Sequence, residues 1–447
     1  MTTYILTTLL LAAGPPCGPL DLDTALGLAA TRSDEVAIKE ADVVTAQADE
    51  ALARALRVLP QVTATVLTGP APEAHGNVLV STTTNRSLSG LRPFARVEVQ
   101  ALQPIYTWGR IDAASEAARA GLQARELLVQ DTTAQVQLRV VQAWWGIAAS
   151  KRLLAIAGDV RGALDQAAQH VKEALAQGEE NISLADRYRL DLARSVVEAR
   201  AAEAQKALEL AQLALAATLG TDPTTLSLKE VPLEVSAATL PDRAAALAAA
   251  DRDRPDLRAL NEAIAARDAE VKAERAAAKP QFFAAGQFLY SYAPNRDIQL
   301  NPWVSDPFNT LSVGGVIGFK QDLAIPMFSA RVHKAEAERA ALARQREGLA
   351  RLVSVQVDSA LAELKAAQTR YTASQAALGS GKALFRSTGL DFSVGLIDAK
   401  YLLDSYAAYV ESQIAAAQSA YDLLVARARL AQVTGEPPRK GVQCELP

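Results

Sequence analysis

The chain has 447 residues, of which 50% are hydrophobic and only 5% aromatic, and its formal net charge is −4 at pH 7. Lysines and arginines are interspersed with acidic residues, which excludes the clustered basic surface of a nucleic-acid-binding protein. Alanine supplies much of the hydrophobic share; it favours helices but buries little area per residue. We therefore expect the chain to complete its core against other copies of itself.

The first predicted element is a signal peptide at residues 1–14. Residues 5–13 form an apolar run that is too short to cross a bilayer as a helix, although no lysine or arginine precedes it. Cys17 leaves lipid attachment open as an alternative, which the two prolines before it disfavour. A disulfide between Cys17 and Cys444 is also open, but nothing in the sequence requires it.

Two long segments without proline indicate how the rest of the chain is divided into elements. None of its 20 prolines lies in residues 105–222 or 327–436. Proline removes a backbone donor and clashes with the preceding helical turn, so its absence permits very long helices. Each window follows a strand-like segment that ends in proline and leads through aromatic residues to an arginine, at 102–110 and 325–331. This recurrence predicts that the chain is a duplication.

The two repeats have the same predicted order of elements. The first repeat, 21–220, comprises short helices, strands at about 61–68 and 94–103 around a loop, and a long helical hairpin at 105–219. A linker is predicted at 221–241. The second repeat, 242–436, comprises helices, strands at about 281–292 and 311–322, and a hairpin at 327–434, followed by a tail at 437–447.

The predicted strands alternate apolar and polar residues, which indicates one apolar and one wet face. In the second strand Val97 and Val99 alternate with Arg96, Glu98 and Gln100. No run of eighteen apolar residues occurs in the sequence, so we expect any membrane crossing to be made by these strands. Four aromatic residues are candidates for a lipid-facing position at the membrane interface: Phe288, Tyr290, Tyr292 and Phe319.

Each proline-free window is predicted to break once, near Gly178 and near Gly389. Ser183 and Ser393 follow these glycines and are placed to cap the next helix. Each window is therefore predicted to be an antiparallel helical hairpin. At about 1.5 Å per residue, its first arm approaches roughly 100 Å.

Four strands cannot close a membrane barrel, because roughly eight are needed even for a barrel filled by its own side chains. Three copies would supply twelve strands and leave a water-filled lumen, with polar faces inward and apolar faces toward lipid. The predicted fold class is therefore mainly α with a membrane β-barrel. Duplicated helical hairpins and four strands per chain would form a trimeric 12-stranded barrel and an α-helical tunnel.

The complete order of elements resembles the TolC-type outer membrane efflux proteins over residues 21–436. The resemblance includes the proline-glutamine helix stops at Pro60 and Pro280 and the segment Gln-Pro-Ile-Tyr-Thr-Trp-Gly-Arg at 103–110. The second repeat departs from this pattern, because Ala330 stands where a glycine is usual. The family implies a homotrimer in outer membrane lipid of a Gram-negative bacterium, a helical tunnel across the periplasm, and docking to a periplasmic adaptor protein and an inner-membrane transporter.

The resemblance also implies a gate at the hairpin tips. Asp398 matches one acidic position of the family's constriction, and Asp186 matches another approximately, whereas Gly395 replaces a further acidic residue. Ordinary solvent-facing helix charge is the alternative interpretation of both aspartates. The candidates for adaptor docking at the tips are Gly178, Ser183, Leu184, Gly389, Leu390 and Ser393.

The sequence favours a passive exit duct for a tripartite efflux or type I secretion system. No enzyme, cofactor or metal site is predicted, because His75, His170 and His333 lack metal-ligand spacing and no nucleophile elbow or phosphate-binding loop occurs. The alternative function is a soluble or periplasmic coiled-coil scaffold, which the alternating strands and signal peptide disfavour. The cargo stays open among small molecules, metals and proteins.

Overall fold

The computed structural model describes residues 19–58, 60–76, 85–177, 184–229, 233, 235, 240–299, 306–394, 396–397 and 399–437. The predicted mainly helical chain with four strands is confirmed. The elements are α1 Leu22–Arg32, α2 Asp34–Val58, β1 Gln61–His75, β2 Asn85–Tyr106, α3 Arg110–Gln177, α4 Leu184–Leu219, a 3-10 turn Pro223–Thr225, α5 Arg243–Asp253, α6 Pro255–Ala277, β3 Gln281–Tyr292, β4 Thr310–Lys320, α7 Ile325–Ser393 and α8 Ala399–Val433.

The order helix, helix, strand, strand, long helix, helix occurs twice among these elements. The first helix of each series begins at an aspartate, because Asp21 and Asp242 accept hydrogen bonds from backbone amides in the first turn. The two long helices, α3 and α7, have 68 and 69 residues. Each therefore extends over roughly 100 Å at about 1.5 Å per residue.

Both strands of the first series are longer than the sequence indicates. β1 continues past residue 68 to His75, and β2 begins at Asn85 rather than near 94. The pairing persists to Ala71, shifts at a bulge between Ala71 and Glu73, and then resumes. Prolines in this stretch suggested a loop, but β1 is an edge strand, where a missing amide donor is tolerated.

The predicted break near Gly389 is wrong. α7 passes through Gly389 and ends at Ser393, so Ser393 does not begin the next helix, which starts at Ala399. A glycine inside a helix costs only about 1 kcal/mol relative to alanine, which a helix of this length can absorb. In the first hairpin, α3 ends at Gln177 and α4 begins at Leu184, and both Gly178 and Ser183 lie outside the described residues.

The first long helix begins at Arg110 rather than near residue 105, because β2 extends to Tyr106 and a tight turn follows. Trp108 and Gly109 both have left-handed backbone angles, with φ of 54° and 80°. The Trp108 indole donates to the Pro280 carbonyl at 2.8 Å, and the Lys279 ammonium lies 5.0 Å from the ring centre. These contacts hold a conformation that a tryptophan rarely adopts.

The chain divides into two compact units. The sheet unit consists of Val43–Arg125 and Leu260–Gln345 and contains all four strands. The helical unit consists of the remaining segments. One core of the helical unit joins α1, α3 and α4 through buried leucines and valines, among them Leu28, Val136, Val140, Leu215 and Leu219. A second core joins the four helices α5, α6, α7 and α8, and its buried residues include Leu257, Val357 and Val433.

A buried arginine joins several helices of the helical unit. Arg254 donates through Nε and Nη2 to the Asp256 carboxylate and through Nη1 to the Gln356 side chain at 2.6 Å. Burial raises the pKa of Asp131, and repulsion from Asp256 adds to the increase, whereas Arg254 opposes it. Gly435, just beyond α8, lies so close to Arg254 that a Cβ would sit 2.6 Å from the Arg254 amide nitrogen.

The strand-to-helix turn gives a direct stability prediction. Gly109→Ala should lower the free energy of unfolding by about 1 kcal/mol, because an L side chain is strained at this φ. The measurement is the guanidinium unfolding midpoint in detergent. Gly121→Ala is the matched control inside α3, where a Cβ would meet no atom within 4 Å, and it should be neutral or stabilising. Equal destabilisation by both substitutions would contradict the interpretation.

Candidate functional site

The four strands form one antiparallel sheet in the order β1-β2-β3-β4. Residues directly paired across antiparallel strands share a face of the sheet. One row of pairs is Val66, Val97, Tyr290 and Leu311, and the adjacent row is Ala64, Val99, Phe288 and Val313. The register therefore places the apolar residues of both repeats on a single side, which we call the apolar face.

The four predicted aromatic residues all lie on the apolar face. Phe288, Tyr290, Tyr292 and Phe319 are 40%, 45%, 51% and 67% exposed. Val313 and Ile317 on the same face are more exposed still, at 76% and 80%. A large exposed apolar surface on a folded chain marks a surface that contacts a partner or a membrane. The lipid contact of the aromatic residues stays a prediction.

The opposite side of the sheet is the polar face. Within 61–70, 93–102, 281–292 and 310–320, all charged and amide side chains lie on this side: Gln61, Arg96, Glu98, Gln100, Gln281, Gln287 and Lys320. Threonines and serines accompany them, together with a minority of apolar residues such as Leu289. The alternation predicted for the strands is therefore present across all four of them.

A hydrogen-bonded network occupies the centre of the polar face. Glu98 Oε1 accepts from the amide groups of Gln100 and Gln287, the latter at 2.9 Å. Arg96 Nη2 lies 3.5 Å from Glu98 Oε2. Sequence reasoning identified the polar alternation of β2 but missed the contribution of Gln287, because only the register shows which residue of β3 lies opposite Gln100.

The connections at one end of the sheet enclose a buried ion pair that the sequence did not indicate. Arg296 Nε donates to Asp306 at 3.0 Å, and their side chains are 10% and 2% exposed. Arg296 also donates to the Pro72 carbonyl and stacks on Phe308. At the same end, the Gly76 amide and the His75 ring lower the pKa of Asp297, which links the β1–β2 and β3–β4 connections.

The structure places only some of the predicted tip residues. Asp186 lies in the first turn of α4 and accepts from Arg189 at 2.8 Å, in a position where a negative charge favours the helix dipole. Asp398 lies outside the described residues. Leu184 and Leu390 are 58% and 70% exposed, and the sequence analysis missed exposed Val394 and Leu396, which follow Leu390 in the chain. The gate and docking roles stay predictions.

No helix in the described ranges combines the length and apolarity that a membrane-spanning segment requires. Within the same part of the chain, no group of three or more histidine, cysteine, aspartate or glutamate side chains is arranged to hold a metal ion.

A model of the outer membrane efflux protein family matches residues 246–436. The matched segment comprises most of the second repeat. No curated protein sequence gives a significant match to the chain. The family model does not extend to the first repeat, whose fold is compared with that of solved structures.

Solved outer-membrane channels share the efflux-protein fold over almost the whole chain. The channel OprN has a TM-score of 0.74 and 18% identity, covering 94% of this chain and 90% of its own. Campylobacter jejuni CmeC has a TM-score of 0.75 and 14% identity, covering 94% and 86%. The open state of Neisseria gonorrhoeae MtrE has a TM-score of 0.72 and 19% identity, covering 94% and 89%. Both repeats therefore have this fold.

The buried ion pair at the end of the sheet provides a test of local stability. Asp306→Asn should lower the free energy of unfolding by about 3 kcal/mol, because it leaves the Arg296 guanidinium buried without a counter-charge. The control is Asp268→Asn, which removes the half-exposed ion pair with Arg339 and should cost less than about 1 kcal/mol. Guanidinium unfolding in detergent measures both. Similar losses in the two variants would argue against a special role for the buried pair.

Proposed function

We propose that the protein is the exit duct of a tripartite efflux or type I secretion system in the outer membrane of a Gram-negative bacterium. The observation that supports this most strongly is the sheet: within 61–70, 93–102, 281–292 and 310–320, one exposed face is free of charge and all charged side chains lie on the other face. Within the part of the chain that the structure describes, the edge strands β1 and β4 have no further strand beside them. Edge-to-edge pairing of three copies would satisfy both edges and close twelve strands.

Strand length agrees with a membrane crossing. Stretches of about ten residues at 61–70, 93–102, 283–292 and 310–319 pair continuously, and a tilted strand needs roughly 9–11 residues to cross a bilayer. In the closed sheet the apolar face contacts lipid and the polar face lines water. Tyr290 and Tyr292 then supply the amphipathic rings that favour the membrane–water interface.

The helical hairpins form the periplasmic part of the duct in this proposal. The tips of α3–α4 and α7–α8 meet the adaptor protein, and the inner-membrane transporter supplies the energy and selects the cargo. Leu184 and Leu390 offer exposed apolar contacts for the adaptor. Asp186 and Asp398, repeated around the axis, place negative charge at the periplasmic end, where like charges repel one another and attract cations.

A soluble coiled-coil scaffold is the competing function. It accounts for the long helices but gives no reason for a sheet that exposes valine, leucine, isoleucine, phenylalanine and tyrosine side chains on one face. Such a face in water promotes aggregation. Negative-stain imaging of detergent-purified protein from the outer membrane fraction separates the two. Threefold particles that require detergent support the duct, whereas detergent-independent rods or monomers would exclude it.

The two faces of the sheet predict opposite responses to a new charge. Val313→Arg places a cation on the lipid side and should reduce trimer assembly, since such a substitution costs about 2–4 kcal/mol near the bilayer centre. The neighbouring Ser312→Arg places the same charge on the water side and should assemble normally. Heat-stable trimer on mildly denaturing gels after outer membrane extraction is the measurement. If Val313→Arg assembled better than Ser312→Arg, the proposed assignment of the apolar face to lipid and the polar face to water would be wrong.

The gate proposal predicts a change in conduction. Asp398→Asn should raise single-channel conductance or weaken cation preference, because it removes like charges from the constriction. Asp422→Asn serves as the control, since Asp422 lies farther along α8 and pairs with Arg370 at 3.4 Å. Planar-bilayer recordings compare the variants. A record for Asp398→Asn identical to the unsubstituted channel would remove this residue from the gate.

A further inference from the structure

We propose that Arg96 and Glu98 form a charge-balanced ring that sets the ion selectivity of the channel's membrane-crossing part. This inference rests on the proposed function, because the polar face becomes a lumen wall only when the sheet closes. Arg96 and Glu98 lie near the middle of the stretch 93–102, on the polar face. Three copies would place three cations and three anions at one level of the lumen.

The Glu98 carboxylate is held in place from two strands. Gln100 on β2 and Gln287 on β3 both donate to Oε1, and Gln100 and Gln287 are directly paired across the strands. The other oxygen, Oε2, faces Arg96 at 3.5 Å. A carboxylate fixed by two amide donors keeps its position without its cation, so removal of Arg96 should leave the negative charge in the lumen wall.

The Arg96 guanidinium retains unused hydrogen-bonding capacity. Its contact with Glu98 is longer than a good ion-pair hydrogen bond, which spans about 2.7–2.9 Å. Among the described residues, Arg96 Nε and Ser291 Oγ are buried without a hydrogen-bond partner, and they belong to directly paired residues. Buried polar atoms of this kind are normally completed by water. Glu98 therefore satisfies Arg96 only in part, and the Arg96 side chain is 28% exposed on the polar face.

Charge balance at this level predicts that the ring itself contributes little ion selectivity in the unsubstituted channel, and that single substitutions make its contribution strong. Rings of charged side chains determine which ions enter a pore, because charges beside a low-dielectric wall interact over several ångströms. Removing Glu98 leaves three unbalanced cations, and removing Arg96 leaves three unbalanced anions. The two substitutions should therefore shift selectivity in opposite directions.

The test is the reversal potential of channels in planar bilayers under a KCl gradient. Glu98→Gln should lower the ratio of potassium to chloride permeability about twofold or more, and Arg96→Gln should raise it by a similar factor. The double variant Arg96→Gln/Glu98→Gln should return to the ratio of the unsubstituted channel. Lys320→Gln is the control, since Lys320 lies on the same face at the end of β4, and it should change the ratio less than either single variant.

The outcomes separate the ring from the proposed function. Conducting single variants that keep the original ratio, or a larger shift in Lys320→Gln, would overturn the ring and leave the duct intact. An unsubstituted protein that forms no conducting trimer would overturn the duct and the ring with it. If one single variant fails to assemble, the other single variant and the double variant still test the ring. Their ratios of potassium to chloride permeability must differ in the predicted direction.

Discussion

The pairing of β2 with β3 is the constraint on which the sheet depends. It joins the two repeats, and its register from Ala95↔Tyr292 to Tyr106↔Phe282 fixes which side chains share a face. Side chains alternate with a period of two, so a slip of one residue would move Phe288 and Tyr290 to the side of Glu98. The separation of the sheet into an apolar and a polar face therefore depends on β2 and β3, which are far apart in sequence, pairing in this one register.

In the helical unit, the small size of alanine limits how much apolar area the helices bury against one another. Its cores contain isolated groups of leucine and valine, such as Leu215 with Val136 and Leu257 with Val357. Between these groups many contacts involve alanine or serine, as in the 2.6 Å hydrogen bond between Ser374 and Ser419. Small side chains permit close helix approach but contribute little burial. In the proposed trimer, neighbouring copies supply the remaining burial.

The sequence predicted the order of elements and the alternation of the strands because both arise from local residue types. It placed the end of the first arm of the second hairpin too early, since Gly389 is tolerated inside a helix as long as α7. It missed the Arg296–Asp306 pair and the contact of Gln287 with Glu98, because each joins residues from different segments. The tip pattern predicted a role for Asp186 that stays a prediction, and its contact with Arg189 could only be seen in the structure.

The contact of Gly435 with Arg254 has a consequence for the order of folding. The end of α8 packs against the turn between α5 and α6, which precedes it by most of the second repeat. Contacts between segments far apart in sequence form slowly, since a long loop must close first. The core around Leu257 therefore cannot be completed until almost the whole chain has emerged. During this interval its exposed apolar surfaces are open to chaperones, to proteases and to premature association with other chains.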